Sequence, residues 1–347
     1  MGNERDARGP GSLVFGATGF IGRWLVAELL AQGRPVAVTV REEGRGDELR
    51  TWLRGHDVDD GRLSVAEADI ARPGLGLDRE RLDWVRDVYN AAALFRFGLG
   101  RDEARRVNVD GAVNVVRWAA GLPRLRRLVH VSGYRVAAGR TLAYPVPERD
   151  LGAFYRRYGA YEASKREGDA AVRAVAEEEG VPVTAVHPAS VIGHSVTGEA
   201  GQYIGLAETV ENLWAGRLPA LAGSRRTFVP VVTVDHLARF MAAVPDHDRG
   251  PYQAHWVLDD ATPDLPRLVG LLARHFGRRA PRVMLPVGLV RRLPRALTRV
   301  EPETLTFLSE DRYDTSSADA LAAAASLSHP PVEDALRRWA DRLVAGR

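Results

Sequence analysis

Apolar and polar positions along the first two thirds of the chain switch between two periods. Residues 12–15 form a short apolar run that stops at Gly16. Residues 20–33 then carry Ile21, Leu25, Leu29 and Leu30 at helical spacing and end on Gly33, a residue suited to a helix C-terminus. A second apolar run covers 35–40, which completes one strand–helix–strand unit. The polar stretch 41–61 holds a short helix around 49–53. Further strands are predicted at 62–66, 87–90, 127–132 and 182–187, with helices at about 101–121 and 158–180. Strands alternating with helices in this way predict a parallel sheet with crossover helices.

Beyond Pro188 the pattern loosens. Residues 193–201 read as a Gly/Ser/Thr-rich loop and 202–216 as a helix, while strands at 227–232 and 251–258 flank a helix at 234–244. From 263 onward the chain is mainly helical, interrupted by Pro281, Pro286, Pro294, Pro302, Pro330 and Pro331. No internal repeat is found. The fold class expected is α/β, a doubly wound parallel sheet made by 12–192 plus 231–258. A smaller, mainly helical C-terminal substrate cap is expected from 193–230 plus 259–347, with 1–11 a flexible tail.

Composition narrows the chemistry. With 347 residues, 45% hydrophobic and 27% charged, the chain has enough apolar surface for a large core, which excludes disordered and fibrous classes. The absence of cysteine excludes disulfides, iron–sulfur clusters, thiolate zinc sites and a Cys nucleophile. No apolar run reaches the roughly 18 residues of a membrane helix, and residues 1–11 lack a signal-peptide apolar stretch, so a cytoplasmic protein without a membrane partner is expected. Lys and Arg total 48, yet the only lysine is Lys165, and the net charge is +3. Arginine is therefore the default surface cation. The clusters at Arg124, Arg126 and Arg127, and at Arg291, Arg292, Arg295 and Arg299, read as solvated faces, and no nucleic-acid partner is expected.

Gly16-Ala17-Thr18-Gly19-Phe20-Ile21-Gly22 lies between the first strand and its helix. Gly16 allows a tight turn, Gly19 lets backbone N–H groups approach a diphosphate, and Gly22 lets the helix pack closely on the strand. The helix start favours the anion through its dipole and unpaired N–H groups, so the segment predicts dinucleotide binding. In NAD-binding versions of this unit an acidic residue ends the second strand and bonds the ribose hydroxyls. Here that position is Val40, followed by Arg41. A guanidinium suits a 2′-phosphate, which favours NADP (NADPH) over NAD, although Glu42 and Glu43 could serve a ribose in a shifted register.

Tyr161-Glu162-Ala163-Ser164-Lys165 opens a predicted helix, and a spacing of four puts Tyr161 and the single lysine on one face. A phenol near pKa 10 is a poor acid or base at neutral pH, whereas an adjacent ammonium lowers that value. A compact, rotatable ammonium also reaches ribose hydroxyls and a phenol together. Tyr155 and Tyr158 have no such partner and read as loop or packing residues.

With these segments in order, the chain resembles the extended short-chain dehydrogenase/reductase family, of the NAD(P)-dependent epimerase/dehydratase-like, reductase type. The resemblance rests on Gly16 to Gly22, Asp69-Ile70, Asn90-Ala91-Ala92-Ala93, Val107-Asn108-Val109-Asp110-Gly111, Tyr161 to Lys165, His187-Pro188-Ala189-Ser190-Val191-Ile192-Gly193 and Phe228-Val229-Pro230 with Val234-Asp235. It covers roughly 12–260 in matching order. It implies a Rossmann sheet, with Tyr161 as general acid/base and Lys165 on the nicotinamide ribose. Gly16, Thr18, Gly19, Phe20, Ile21, Gly22 and Arg41 would hold the cofactor. Asp69 and Ile70 would flank adenine, Ala91 and Ala92 would line the cofactor, and the backbone from Pro188 to Val191 would meet the carboxamide. Asn108 reads as a structural helix residue. Family members often pair, which makes a homodimer through the helices of Tyr161 and Asn108 one expected arrangement.

The sequence departs from the family where a Ser or Thr hydroxyl should orient the substrate oxygen. Here His130-Val131-Ser132-Gly133-Tyr134 occurs. Counted back from Gly139, that position falls on Tyr134 in sugar-nucleotide members and on Gly133 in reductase-type members. Either Ser132 serves from a shifted register or Tyr134 supplies the hydroxyl, with Ser132 preferred as the third catalytic residue. The acidic residues that dehydratases carry here are missing. The segment 140–158 reads as a longer loop placed to cover the site. His187 reads as a satisfied structural histidine, and nothing is spaced to bind a metal. Phe95, Phe97, Tyr134 and Tyr203 are candidate substrate contacts, with Leu206, Trp214 and Phe228 as further cap candidates, and together they suit an apolar or aromatic small-molecule carbonyl compound. The reading expected is NADPH-dependent hydride transfer to a ketone or aldehyde, or its reverse. The alternatives are a sugar-nucleotide epimerase with bound NAD and a non-catalytic NADP-binding regulator.

Overall fold

The computed structural model describes residues 11–96, 98–136, 142–201, 205–292 and 304–346. Seven strands join in the order β10-β6-β5-β4-β1-β2-β3. They are β1 (Gly11–Phe15), β2 (Val36–Val40), β3 (Leu63–Glu67), β4 (Val85–Asn90), β5 (Arg127–Val131), β6 (Val183–Pro188) and β10 (Tyr252–Val257). β1 pairs in parallel with β2 and with β4, and the parallel ladder continues through β5 to β6. The chain therefore winds outward in both directions from β1. β1, β2, β5 and β6 are buried along their whole length because helices cover both faces, whereas β3, at the sheet edge, exposes Ser64, Val65 and Glu67. The gap between β1 and β4, where the winding reverses, is where open α/β sheets place ligands.

The helices that frame this gap are α1 (Phe20–Ala31), α2 (Arg45–Arg54), α3 (Arg101–Arg105), α4 (Gly111–Ala120), α5 (Glu148–Tyr158) and α6 (Ala160–Glu179). One π-helical turn, Arg106–Asp110, joins α3 to α4. Phe15, Val88, Val115, Trp118, Leu128 and Val172 form part of the core on the α4/α6 face, with the Phe15 and Trp118 rings edge to face at 6.2 Å.

The described residues fall into two compact units. One holds those up to His187 with 238–255 and 317–326, and the other holds 188–237, 256–316 and 327–346. Residues 317–326, placed with the cap by the sequence pattern, thus group with the sheet. In the second unit, β7 (Ser190–Ile192) pairs with β9 (Val231–Thr233) and β8 (Ala220–Ala222) with β11 (Val283–Leu285), all in parallel. Of the return expected at 231–258, then, only β10 joins the main sheet. Leu268, Leu272, Leu336 and Trp339 centre the core of this unit.

Two expectations are corrected between 140 and 180. The segment 148–158 is helical, and the predicted helix 158–180 begins only at Ala160. Gly159, at φ +79° and ψ 159°, breaks the chain between α5 and α6 in a conformation that disfavours side chains. α5 is held by Leu151 and Tyr155, one turn apart and buried. Tyr155 donates to Glu167 at 2.7 Å, and Arg105 pairs with the same carboxylate at 2.8 Å.

His130 on β5 and His187 on β6 are both buried. Burial holds His130 well below its ordinary pKa, with Lys165 and His187 adding to the effect. Burial also lowers His187, against the opposing pull of Asp169 and of a hydrogen bond to the Gly133 backbone. Asn90 Nδ2 lies 3.3 Å from His130 Nδ1, a bond that an unprotonated ring accepts. Unfolded imidazoles take protons near pH 6.5, so just below that value the unfolded chain binds more protons than the folded one, and stability falls on acidification. The thermal midpoint should drop as pH is lowered from about 7.5 to about 5.5, the span around a free imidazole's titration. His130→Gln should flatten that slope. A midpoint constant over the range would contradict the assignment.

Candidate active site

β1 delivers the chain to Gly16, whose φ of +77° turns it sharply. A Cβ on Gly16 would come 2.6 Å from the Ala92 nitrogen, so its absence lets the end of β4 close on the loop, where Ala91 N–H donates to the Phe15 carbonyl at 3.0 Å. Gly19 N–H donates back to the Gly16 carbonyl at 3.0 Å. A Cβ on Gly22 would stand 2.1 Å from that same oxygen, which only glycine avoids. The loop is thus folded onto the start of α1. Gly19, exposed at the helix N-cap, makes no side-chain cap, and the first turn carries no acidic residue. Unspent amides and a positive dipole end fit a diphosphate group. Phe20 is buried, while Thr18 and Ile21 are half-buried.

Arg41 is exposed immediately after β2, followed by exposed Glu42 and Glu43. Asp69 spends one carboxylate oxygen on its own turn, accepting from Ala71 N–H at 2.9 Å. Ile70 is buried, its side chain only 3.0 Å from where a Gly111 Cβ would stand. Asn108, in the π-helical turn, accepts from Leu94 N–H at 2.7 Å and donates to the Leu94 carbonyl at 3.1 Å and to Ser164 at 3.0 Å. That is the structural role expected of it, and it fixes the chain after β4 against α6. The next residue, Phe95, lays its ring 4.4 Å from that of Tyr161.

On α6, Lys165 is buried and its Nζ donates to the Val131 carbonyl at the end of β5, at 2.9 Å. Burial pushes its pKa down to about 8, against a counter-pull from Asp169. Burial raises the Tyr161 phenol above its ordinary value, with Glu162 adding to the rise. The lowering expected from the lysine is therefore not realised in this arrangement, where burial sets the direction of the shift. Next to Val131, Ser132 is buried and donates its N–H to the Val186 carbonyl at 2.8 Å. Among the described residues its Oγ has no hydrogen-bond partner. A buried hydroxyl left in that state costs about 1–3 kcal/mol, and a ligand oxygen would relieve the cost. Tyr134 is also buried two residues on. Tyr161, Lys165 and Ser132 thus stand at the C-terminal ends of the central strands, as does the glycine loop.

In the second unit, Pro188 closes β6 and Val191 lies in β7 opposite Val232. Leu206 belongs to the core there, Phe228 is buried with Arg312 over its ring at 3.6 Å, and Trp214 is exposed. Phe97 and Tyr203 lie outside the described residues. No cluster of three or more His, Asp or Glu suited to a metal occurs among the described residues, and no described helix is long and apolar enough to cross a membrane.

Comparison with known proteins gives the family and the fold. The model of an NAD-binding family described as male sterility protein matches residues 14–241. Tetraketide alpha-pyrone reductase 1 of Arabidopsis thaliana is 25% identical over 276 residues, 76% of this chain and 80% of its own length. Dihydroflavonol 4-reductase of Zea mays is 29% identical over 191 residues, 52% of each chain, so the match spans about half of that enzyme. The terminal R domain from the myxalamid PKS-NRPS biosynthetic pathway shares the fold, with a TM-score of 0.75 and 21% identity over 97% of this chain and 91% of that one. The chain belongs to the male-sterility-protein family of NAD(P)-dependent enzymes, within the extended short-chain dehydrogenases/reductases.

Proposed function

We propose that the protein is an NADPH-dependent reductase of an apolar or aromatic ketone or aldehyde, with Tyr161 as the proton donor. The observation that carries this reading is the buried, unpartnered Ser132 hydroxyl, next in the chain to the carbonyl that holds Lys165. NADPH, when bound, supplies the hydride that reduces the carbonyl carbon. Ser132 Oγ–H donates to the substrate oxygen and fixes it. The Tyr161 phenol then gives that oxygen its proton, and an alcohol results. The elevated pKa of Tyr161 keeps it protonated at neutral pH, as an acid in the reductive direction must be. Lys165 remains charged below about pH 8, where its ammonium opposes the negative charge left on the phenol. Phe95 on the Tyr161 ring forms an apolar wall, which favours a substrate with apolar or aromatic bulk. The two reductase relatives support the reaction class. The preference for NADPH rests on Arg41 and on the lack of a carboxylate at Val40.

Tyr161→Phe should lower kcat by roughly a hundredfold or more, as loss of a positioned acid does, and leave NADPH binding unchanged by titration. A fully active variant would refute the assignment. Since the phenol titrates far above the working range, the alkaline limb of the reductive rate profile belongs to Lys165. Activity should fall as pH rises through about 8, and a profile flat to pH 10 would separate Lys165 from the chemistry. Arg41→Ala should reduce kcat/KM for NADPH by about tenfold, the scale of one charge-assisted contact, with little change for NADH. An equal loss with both cofactors would remove the basis for NADPH preference. Co-purified NAD with no net NADPH consumption over a panel of carbonyl compounds would point instead to the epimerase reading.

A further inference from the structure

The residue directly after Gly22 is an arginine. Arg23, on the first turn of α1, donates through Nη2 to the Thr18 carbonyl at 3.2 Å and through Nε to the Gly19 carbonyl at 3.4 Å. Its guanidinium carbon lies 5.4 Å from the ring centre of Trp52 on α2. That indole is itself held from two directions. Trp24 meets it edge to face at 5.0 Å, and the His56 ring packs at 4.0 Å with an interplanar angle of 30°. His56 Nδ1 also lies 2.8 Å from the Trp52 carbonyl. In a chain that uses arginine throughout its surface, this one is distinguished by where its planar fork and its face are both engaged.

The turn that must admit a diphosphate contains carbonyl oxygens as well as amides, and an anion is repelled by the former and bound by the latter. We propose that Arg23, braced on Trp52, is a positioning residue for the cofactor diphosphate. It ties the Thr18 and Gly19 carbonyls to a guanidinium so that the turn presents its N–H groups, and it adds positive charge beside the helix start. The diphosphate is common to NADPH and NADH, so Arg23 serves both, whereas Arg41 addresses the 2′-phosphate alone. The inference rests on the NAD(P)-binding loop and not on the chemistry assigned to Tyr161.

The test is equilibrium binding of NADPH and of NADH, read from nicotinamide fluorescence without substrate, for Arg23→Leu, Arg23→Lys, Trp52→Leu and the Arg23→Leu/Trp52→Leu double variant. Arg23→Leu should weaken both cofactors by about tenfold, the scale of bonds made by a charged donor, and leave their ratio unchanged. Trp52→Leu should weaken both by a smaller factor, and the double variant should bind no worse than Arg23→Leu, since the indole acts through the guanidinium. Arg23→Lys should recover binding only in part, because an ammonium lacks the fork. Binding by Arg23→Leu close to that of the parent, a loss confined to NADPH, full recovery by lysine, or two losses that multiply would each overturn the proposal. If Arg23→Leu fails to fold, as judged by its ligand-free thermal midpoint, Arg23→Lys and Trp52→Leu carry the same comparison. An Arg41→Ala variant that fails to discriminate would weaken the NADPH reading and leave the role of Arg23 standing.

Discussion

The contact between the Gly16 carbonyl and the start of α1 sets the geometry on which the rest of the site depends. The oxygen occupies the place where a side chain on residue 22 would begin, and the positive φ at residue 16 carries the chain there. Because the turn is that tight, the end of β4 can close on it from the other side. Any larger residue at either position would push the helix away from the strand and carry its amides off the strand ends where Ser132 and Lys165 stand. Cofactor loop and reaction chemistry are thereby tied to one frame, the reversal of winding between β1 and β4.

The second constraint is the cost of burying charge. Lys165 sits in a place where an ammonium is disfavoured, with two imidazoles nearby that are held neutral. It is retained there by the Val131 carbonyl and the opposing charge of Asp169. A guanidinium, bulky and always ionised, could not be accommodated on the same terms, which gives a physical reason for the one exception in an arginine-based chain.

Local pattern made most of this legible. The order of strands and helices, the glycine turn and the four-residue spacing of Tyr161 and Lys165 are short-range features, and each is in the chain as read. What the pattern missed depends on partners distant in sequence. α5 looked like a loop because only Leu151 and Tyr155 anchor it, and its polar bond goes to Glu167 on the next helix. The direction of the Tyr161 shift follows from how deeply the phenol is buried, and spacing alone does not carry that. Arg23 and Trp52 lie on neighbouring helices with nothing in either helix to announce the other.

The burial of Lys165 has a further consequence for work with the molecule. It is the chain's single side-chain amine, it lies out of solvent, and its proton is held loosely enough for a free lone pair to be present near neutral pH. Amine-directed acylating reagents that decorate the outside of ordinary proteins find no side-chain amine on this one's exterior. Their slow reaction at the interior nitrogen becomes a clock for how often the fold breathes open.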